Sequence, residues 1–163
     1  MSRKFFDLDL ERCVGCYACV VACMDQNDLD PTKGDFKWRD VTSLFYKGRL
    51  KYASLSCMHC SDAPCVVTCP TGAVFKNEES GFVETDETKC IGCRSCAMNC
   101  PFGIPKFGDE GKMEKCNGCS VRVAHGYEPA CARTCPTRAL KYDVAGDVEK
   151  ERKLKSLKKA LNL

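Results

Sequence analysis

Every one of the sixteen cysteines in this 163-residue chain belongs to a group of four. The groups are Cys13, Cys16, Cys19 and Cys23; Cys57, Cys60, Cys65 and Cys69; Cys90, Cys93, Cys96 and Cys100; and Cys116, Cys119, Cys131 and Cys135. The first and third share the spacing C-x₂-C-x₂-C-x₃-C. The second and fourth stretch one gap, to C-x₂-C-x₄-C-x₃-C and C-x₂-C-x₁₁-C-x₃-C. Cysteine at this density marks either a secreted disulfide scaffold or a metal protein. The start, MSRKFFDLDLER, carries acids from Asp7 onward and has no apolar run or twin-arginine pair, where a signal peptide needs an apolar stretch of about 7–15 residues. Nothing approaches the roughly 18 apolar residues of a membrane span. The expectation is a soluble, cytoplasmic chain whose thiols stay reduced and free to bind metal; export together with a signal-bearing partner stays open.

A cubane cluster needs four thiolates at tetrahedral corners. A C-x₂-C-x₂-C loop aims three cysteines inward through short turns, and the fourth cysteine, three residues on, ligates the neighbouring cluster in two-cluster ferredoxins. Proline after that cysteine stops the helix; Pro70, Pro101 and Pro136 hold that place, and Met24 replaces it in the first group. The exchange of fourth cysteines predicts four [4Fe–4S] clusters: Cys57, Cys60, Cys65 with Cys100; Cys90, Cys93, Cys96 with Cys69; and, by repeat symmetry, Cys13, Cys16, Cys19 with Cys135, and Cys116, Cys119, Cys131 with Cys23. No ligand is missing, so no three-iron cluster is expected. Zinc suits paired C-x₂-C but not this four-fold run with Cys-Pro endings. The formal charge of +3 counts cysteines as neutral; with roughly −2 per oxidised cluster the loaded chain sits near about −5. Its 25 lysines and arginines then read as compensation for buried anionic clusters rather than as a nucleic-acid footprint.

The chain repeats itself around these groups. Phe6-Asp7-Leu8-Asp9 leads to the first group as FVETD, ending at Asp86, leads to the third; Cys69-Pro70-Thr71-Gly72-Ala73-Val74 matches Cys135-Pro136-Thr137-Arg138-Ala139-Leu140. The predicted fold is α+β: two nested bacterial ferredoxin-like, two-cluster units with short β-hairpins and short helices, plus a C-terminal helix. Residues 1–24 and 105–146 form the outer unit. Residues 25–104 hold an inserted hairpin and the inner unit. Residues 147–163 form an amphipathic helix with Leu154, Leu157 and Leu161 on one face, whose plain reading is docking on its own domain; a contact that assists assembly is the second. Residues 4–10 read as a strand, 36–55 as a hairpin turning at Lys47-Gly48, and 73–85 as a hairpin turning near Ser80-Gly81. The stretches 17–24 and 94–99 read as short helices. Elements this short build little apolar core, so the clusters carry much of the stability.

Gly15, Gly92 and Gly118 stand inside C-x-G-C loops, where a residue without Cβ suits tight backbone. His59 could donate to a cluster sulfur, but packing against backbone is the favoured reading. His125 belongs to no motif. Lys89, Arg94, Lys115, Arg122 and Arg133 lie near ligands and could raise cluster potentials; solvated surface charge is their default. Trp38, Tyr46 and Tyr52 are expected to pack into the long hairpin. No catalytic nucleophile motif, phosphate loop or dinucleotide fingerprint is present, so no catalytic residue is assigned.

The segments CVGCYACVVAC, SCMHCSDAPCVVTCPTGAVFK, KCIGCRSCAMNCPFGIPKF, KCNGC and EPACARTCPTRAL cover most of the chain in order. On them the chain resembles the four-cluster ferredoxin-type electron-transfer subunits that partner molybdenum or tungsten pterin oxidoreductases, such as dimethyl sulfoxide reductase, formate dehydrogenase and polysulfide reductase. The resemblance implies a non-catalytic subunit passing single electrons between a catalytic subunit and a further redox partner. The chain is short for that family and has no C-terminal anchor, which points toward smaller cytosolic assemblies. Two alternatives stand beside it: a free polyferredoxin, and a zinc or redox-sensing binding module.

Overall fold

The computed structural model describes residues 4–144; the expected helix over 147–163 lies outside the described residues. Strand β1 (Lys4–Leu8) pairs antiparallel with β8 (Leu140–Val144), Phe6 opposite Tyr142, so the two ends of the described chain close on each other. Helix α1 (Ala18–Gln26) packs on α5 (Ala130–Thr134). Between them in sequence, α2 (Pro64–Val67) packs on α3 (Ser95–Asn99), and β4 (Val74–Lys76) pairs with β5 (Val83–Thr85). The remaining pieces are the hairpin β2 (Asp40–Tyr46) and β3 (Arg49–Leu55), the small hairpin β6 (Lys106–Phe107) and β7 (Met113–Glu114), α4 (Ser120–Ala124), and a 3₁₀ turn over Pro31–Lys33. The architecture is α+β and ferredoxin-like.

Local chemistry accounts for most boundaries. Lys47 and Gly48 both take left-handed backbone, φ 48° and 72°, the two-residue turn whose twist matches that of paired strands. Helices α3 and α5 stop before Cys100-Pro101 and Cys135-Pro136, each at five residues, because a proline there has no N–H to continue the ladder and biases the preceding residue to extended backbone. With Met24 in that place, α1 runs past Cys23 to Gln26, nine residues in all.

The core divides in two. Phe6, Cys19, Val20, Val41, Phe82, Cys131 and Leu140 form one apolar cluster; Ala63, Val74, Val83, Cys96 and Met113 form the other. Neighbouring residues Phe82 and Val83, each 1 % exposed, point into opposite clusters, as the two faces of extended chain require. Phe82 is thereby the seam, its ring centroid 4.7 Å from that of His59 and 6.4 Å from that of Phe6. The long hairpin buries only its base, at Val41, Ala53 and Ser54, and projects its tip. Tyr46 is 57 % exposed, against the expectation that it packs inward, because it sits at that tip. Trp38 precedes β2 rather than lying in the hairpin, and its indole N–H donates to Glu114 at 3.4 Å. Tyr52 does pack against the first cluster.

Candidate metal centres

The first two cysteines of each group flank a left-handed turn. In the C-x-G-C loops, Gly15, Gly92 and Gly118 have φ of 67°, 69° and 71°. The same place in the second group is held by His59, at φ 45°, a conformation that a side chain with Cβ adopts only at a cost of order 1–2 kcal/mol. Space also demands glycine at Gly118: a Cβ there would stand 2.6 Å from the Phe82 ring.

Cysteines remote in sequence meet in space. One cavity is lined by Cys13, Cys16, Cys19 and Cys135. A second is lined by Cys90, Cys93, Cys96 and Cys69. Burial pushes the Cys23 thiol up to about 12, and the like charges of Cys116, Cys131 and Cys119 act on it too, opposed by Arg39; Cys23 therefore lies among those three cysteines. Burial likewise raises Cys65, with Lys115 opposing and Cys100 and Cys60 among its neighbours. Cys57, raised to about 11 by burial, has Cys65 nearby. Cys135 and Cys69 thus each share a cavity with three cysteines of another group, Cys23 is near three, and Cys100 is near Cys65.

The groups also abut one another. Cys96, pushed up by burial to about 11, has Cys65 beside it. Cys57 has Cys116 beside it, and Cys131 has Cys19. Cys16 and Cys93 are the exposed cysteines; Cys19, Cys23, Cys57, Cys96, Cys116, Cys119 and Cys131 are buried.

Donors converge on the sulfurs. Backbone N–H groups of Leu140, Met113 and Gly118 each point at Cys135, Cys90 and Cys116 Sγ from 3.4 Å. The Asn27 amide lies 3.8 Å from Cys23 Sγ and Ser54 Oγ 3.2 Å from Cys19 Sγ. The repeated Cys-Pro-Thr places Thr71 Oγ1 and Thr137 Oγ1 3.7 Å from Cys69 and Cys135 Sγ. Burial opposes ionisation of Cys69 and Cys135, yet the N–H groups of Val74 and Leu140 and the threonine hydroxyls outweigh it, so both thiols fall below their ordinary value. Cys93 falls too, through the side chain and backbone of Ser95.

This environment fits an iron–sulfur cluster. Neither cysteine-lined cavity includes an aspartate, glutamate or histidine among its described walls, and an all-sulfur donor set is that of soft thiolate chemistry. The cysteines stand around the cavities. Where burial raises the thiol, as at Cys23, Cys57, Cys96 and Cys131, metal binding displaces a proton.

His59 is buried. Its Nδ1 accepts the Val83 N–H at 3.0 Å, which leaves the proton on Nε2, an atom with no partner among the described residues. Burial, then the Lys115 charge, hold its ring neutral, down to about 3. His125 is exposed. Lys89 pairs with Asp86 at 2.9 Å, Arg94 lies over the Phe107 ring, Arg122 donates to Glu128 and Gln26, and Arg133 is exposed. Lys115 departs from the surface default at 6 % exposure. Arg39, 2 % exposed, escapes sequence reasoning entirely, since it precedes an ordinary strand and sits in no motif.

A family model described as 4Fe-4S dicluster domain matches residues 49–145, and one described as 4Fe-4S binding domain matches residues 10–25. The protein is 41 % identical over 158 residues to the B subunit of the anaerobic dimethyl sulfoxide reductase of Escherichia coli, an overlap of 90 % of its own length and 76 % of the relative's. It is 38 % identical over 149 residues to a thiosulfate reductase electron transfer subunit of Salmonella typhi (88 % and 77 %). It is 37 % identical over 170 residues to a formate dehydrogenase iron-sulfur subunit of Wolinella succinogenes (90 % and 82 %). Among the described residues no helix is long and apolar enough to cross a membrane.

Proposed function

This chain belongs to the [4Fe–4S] electron-transfer subunits of the molybdenum and tungsten pterin oxidoreductases, and we propose that it relays single electrons between a catalytic pterin subunit and a further redox partner. Its cofactors are four [4Fe–4S] clusters; when bound, each supplies a one-electron couple. We assign their ligands as Cys69, Cys90, Cys93 and Cys96 (cluster I); Cys57, Cys60, Cys65 and Cys100 (II); Cys23, Cys116, Cys119 and Cys131 (III); and Cys13, Cys16, Cys19 and Cys135 (IV).

The observation that carries the reading is the meeting of Cys23 with Cys116, Cys119 and Cys131, across more than ninety residues of sequence. The two cysteine-lined cavities support it in the same way. The neighbours Cys96–Cys65, Cys57–Cys116 and Cys131–Cys19 support the series I–II–III–IV. Cys93 of set I and Cys16 of set IV are exposed, so electrons enter and leave at the two ends. Two nested ferredoxin-like units account for this order: α1, α5, β1 and β8 hold III and IV, and α2, α3, β4 and β5 hold I and II. The Nε2–H of buried His59 has no acceptor among the described residues, which suits donation toward the sulfur of II.

The test is anaerobic purification of the native protein with its partners, followed by metal analysis. About sixteen irons per chain with a partner containing molybdenum or tungsten is the expected result. A fully loaded chain without a partner would make it a free polyferredoxin. Zinc in place of iron would overturn the reading.

A further inference from the structure

Arg39 and Lys115 are 2 % and 6 % exposed, and among the described residues neither is ion-paired with a carboxylate. Their hydrogen-bond partners among those residues are all neutral. The Arg39 guanidinium donates to Ser54 O (3.4 Å), Ser54 Oγ (2.9 Å) and Ser56 Oγ, and lies over the Phe6 ring. Its Nε has no partner among the described residues. The Lys115 ammonium donates to the carbonyls of Val83 and Cys116. A charge so buried without a counter-ion is costly enough that proteins pair it or neutralise it.

Among the described residues, the negative charge that can face both cations is that of the cysteine sets. Arg39 bears on Cys131, Cys23 and Cys119; through Ser54 it also touches Cys19, whose Sγ lies 3.2 Å from that hydroxyl. Lys115 bears on Cys57 and Cys65 and adjoins Cys116 in sequence. The two cations therefore stand at the joints of the series, Lys115 between II and III and Arg39 between III and IV.

We propose that Arg39 and Lys115 are resident counter-charges of the cluster series, and that each raises the reduction potential of the clusters it stands between: Lys115 at the joint of II and III, Arg39 at the joint of III and IV. A fixed cation favours the reduced, more negative form over the oxidised one, and burial keeps solvent from screening it. The relays at the two joints are thereby held easier to reduce than charge-free burial would leave them. Mutual repulsion between adjacent reduced clusters is offset at each joint.

The inference rests on the four-cluster reading, and iron content separates the two. The holoprotein in its native complex is compared with Arg39→Gln and Lys115→Gln by redox titration followed by electron paramagnetic resonance. Iron per chain unchanged from the unsubstituted protein keeps the cluster reading in place. In each variant at least one centre should lose at least tenfold in its reduction equilibrium constant, a fall of about 59 mV for one electron. Arg39→Lys and Lys115→Arg keep the charge and should restore the midpoints. Should Arg39→Gln fail to load iron, loading by Arg39→Lys with native midpoints supports the proposal, and failure of Arg39→Lys too would overturn it for Arg39. Unmoved midpoints, or charge-keeping variants as shifted as the neutral ones, would likewise overturn it.

Discussion

Gly118 offers a measurement of how tightly the cluster loops are built into the core. Replacing it with alanine imposes two costs. Its φ is 71°, and an L-residue in left-handed backbone loses about 1–2 kcal/mol. The new Cβ would also stand 2.6 Å from the Phe82 ring. That ring is 1 % exposed and closed in by His59, Phe6 and Tyr142, so it has little room to retreat, and overpacking of this kind costs about 1–3 kcal/mol more. Gly126 is the control. It lies eight residues on with φ 79°, and a Cβ there meets nothing within 4 Å, so Gly126→Ala carries the backbone cost alone. At about 3 °C per kcal/mol for a chain of this size, Gly118→Ala should lower the apparent Tm by about 10 °C and Gly126→Ala by about 4 °C. Both are read by anaerobic calorimetry of the loaded protein at one scan rate, since unfolding that releases iron is irreversible. Equal shifts for the two variants would show that the core yields at Phe82 and that its packing does not hold the loop.

Other outcomes follow from the same geometry. Cys23→Ser and Cys116→Ser should alter one and the same paramagnetic centre, and Cys19→Ser a different one; a shared centre for Cys23 and Cys19 would refute the exchange of fourth ligands. His59→Leu removes the acceptor of the Val83 N–H. A buried donor left unpaired costs about 1–3 kcal/mol, so the apparent Tm should fall by about 3–9 °C; no change would mean the bond contributes nothing. Stripping iron with a chelator under reducing conditions should abolish the cooperative thermal transition, because two small apolar clusters leave the thiols to be organised by metal. An iron-free chain that melts at the temperature of the loaded one would contradict this.

Much of the local structure is legible in the residues because short-range chemistry dictates it. Lys47-Gly48 turns the long hairpin where expected, the Cys-Pro pairs end α3 and α5, and Met24 lets α1 run on. Elements without such punctuation, namely α4, β6 and β7, are not legible in this way; they are two to five residues long, too short for a hydrophobic period to register. Tyr46 reads as core by alternation and is exposed, because alternation says which face a residue takes and not whether anything covers that face.

By itself, then, the sequence determined the donor chemistry, the number of cysteine sets and the turns that aim each first trio inward, all of which act over a few bonds. Only the tertiary structure closed β1 on β8, buried His59 against Phe82, and enclosed Arg39 and Lys115 without a described carboxylate. A lysine beside a cysteine reads the same on a surface and in a core. Its electrostatic effect depends on how much solvent surrounds it, and the packing of segments far apart in sequence decides that.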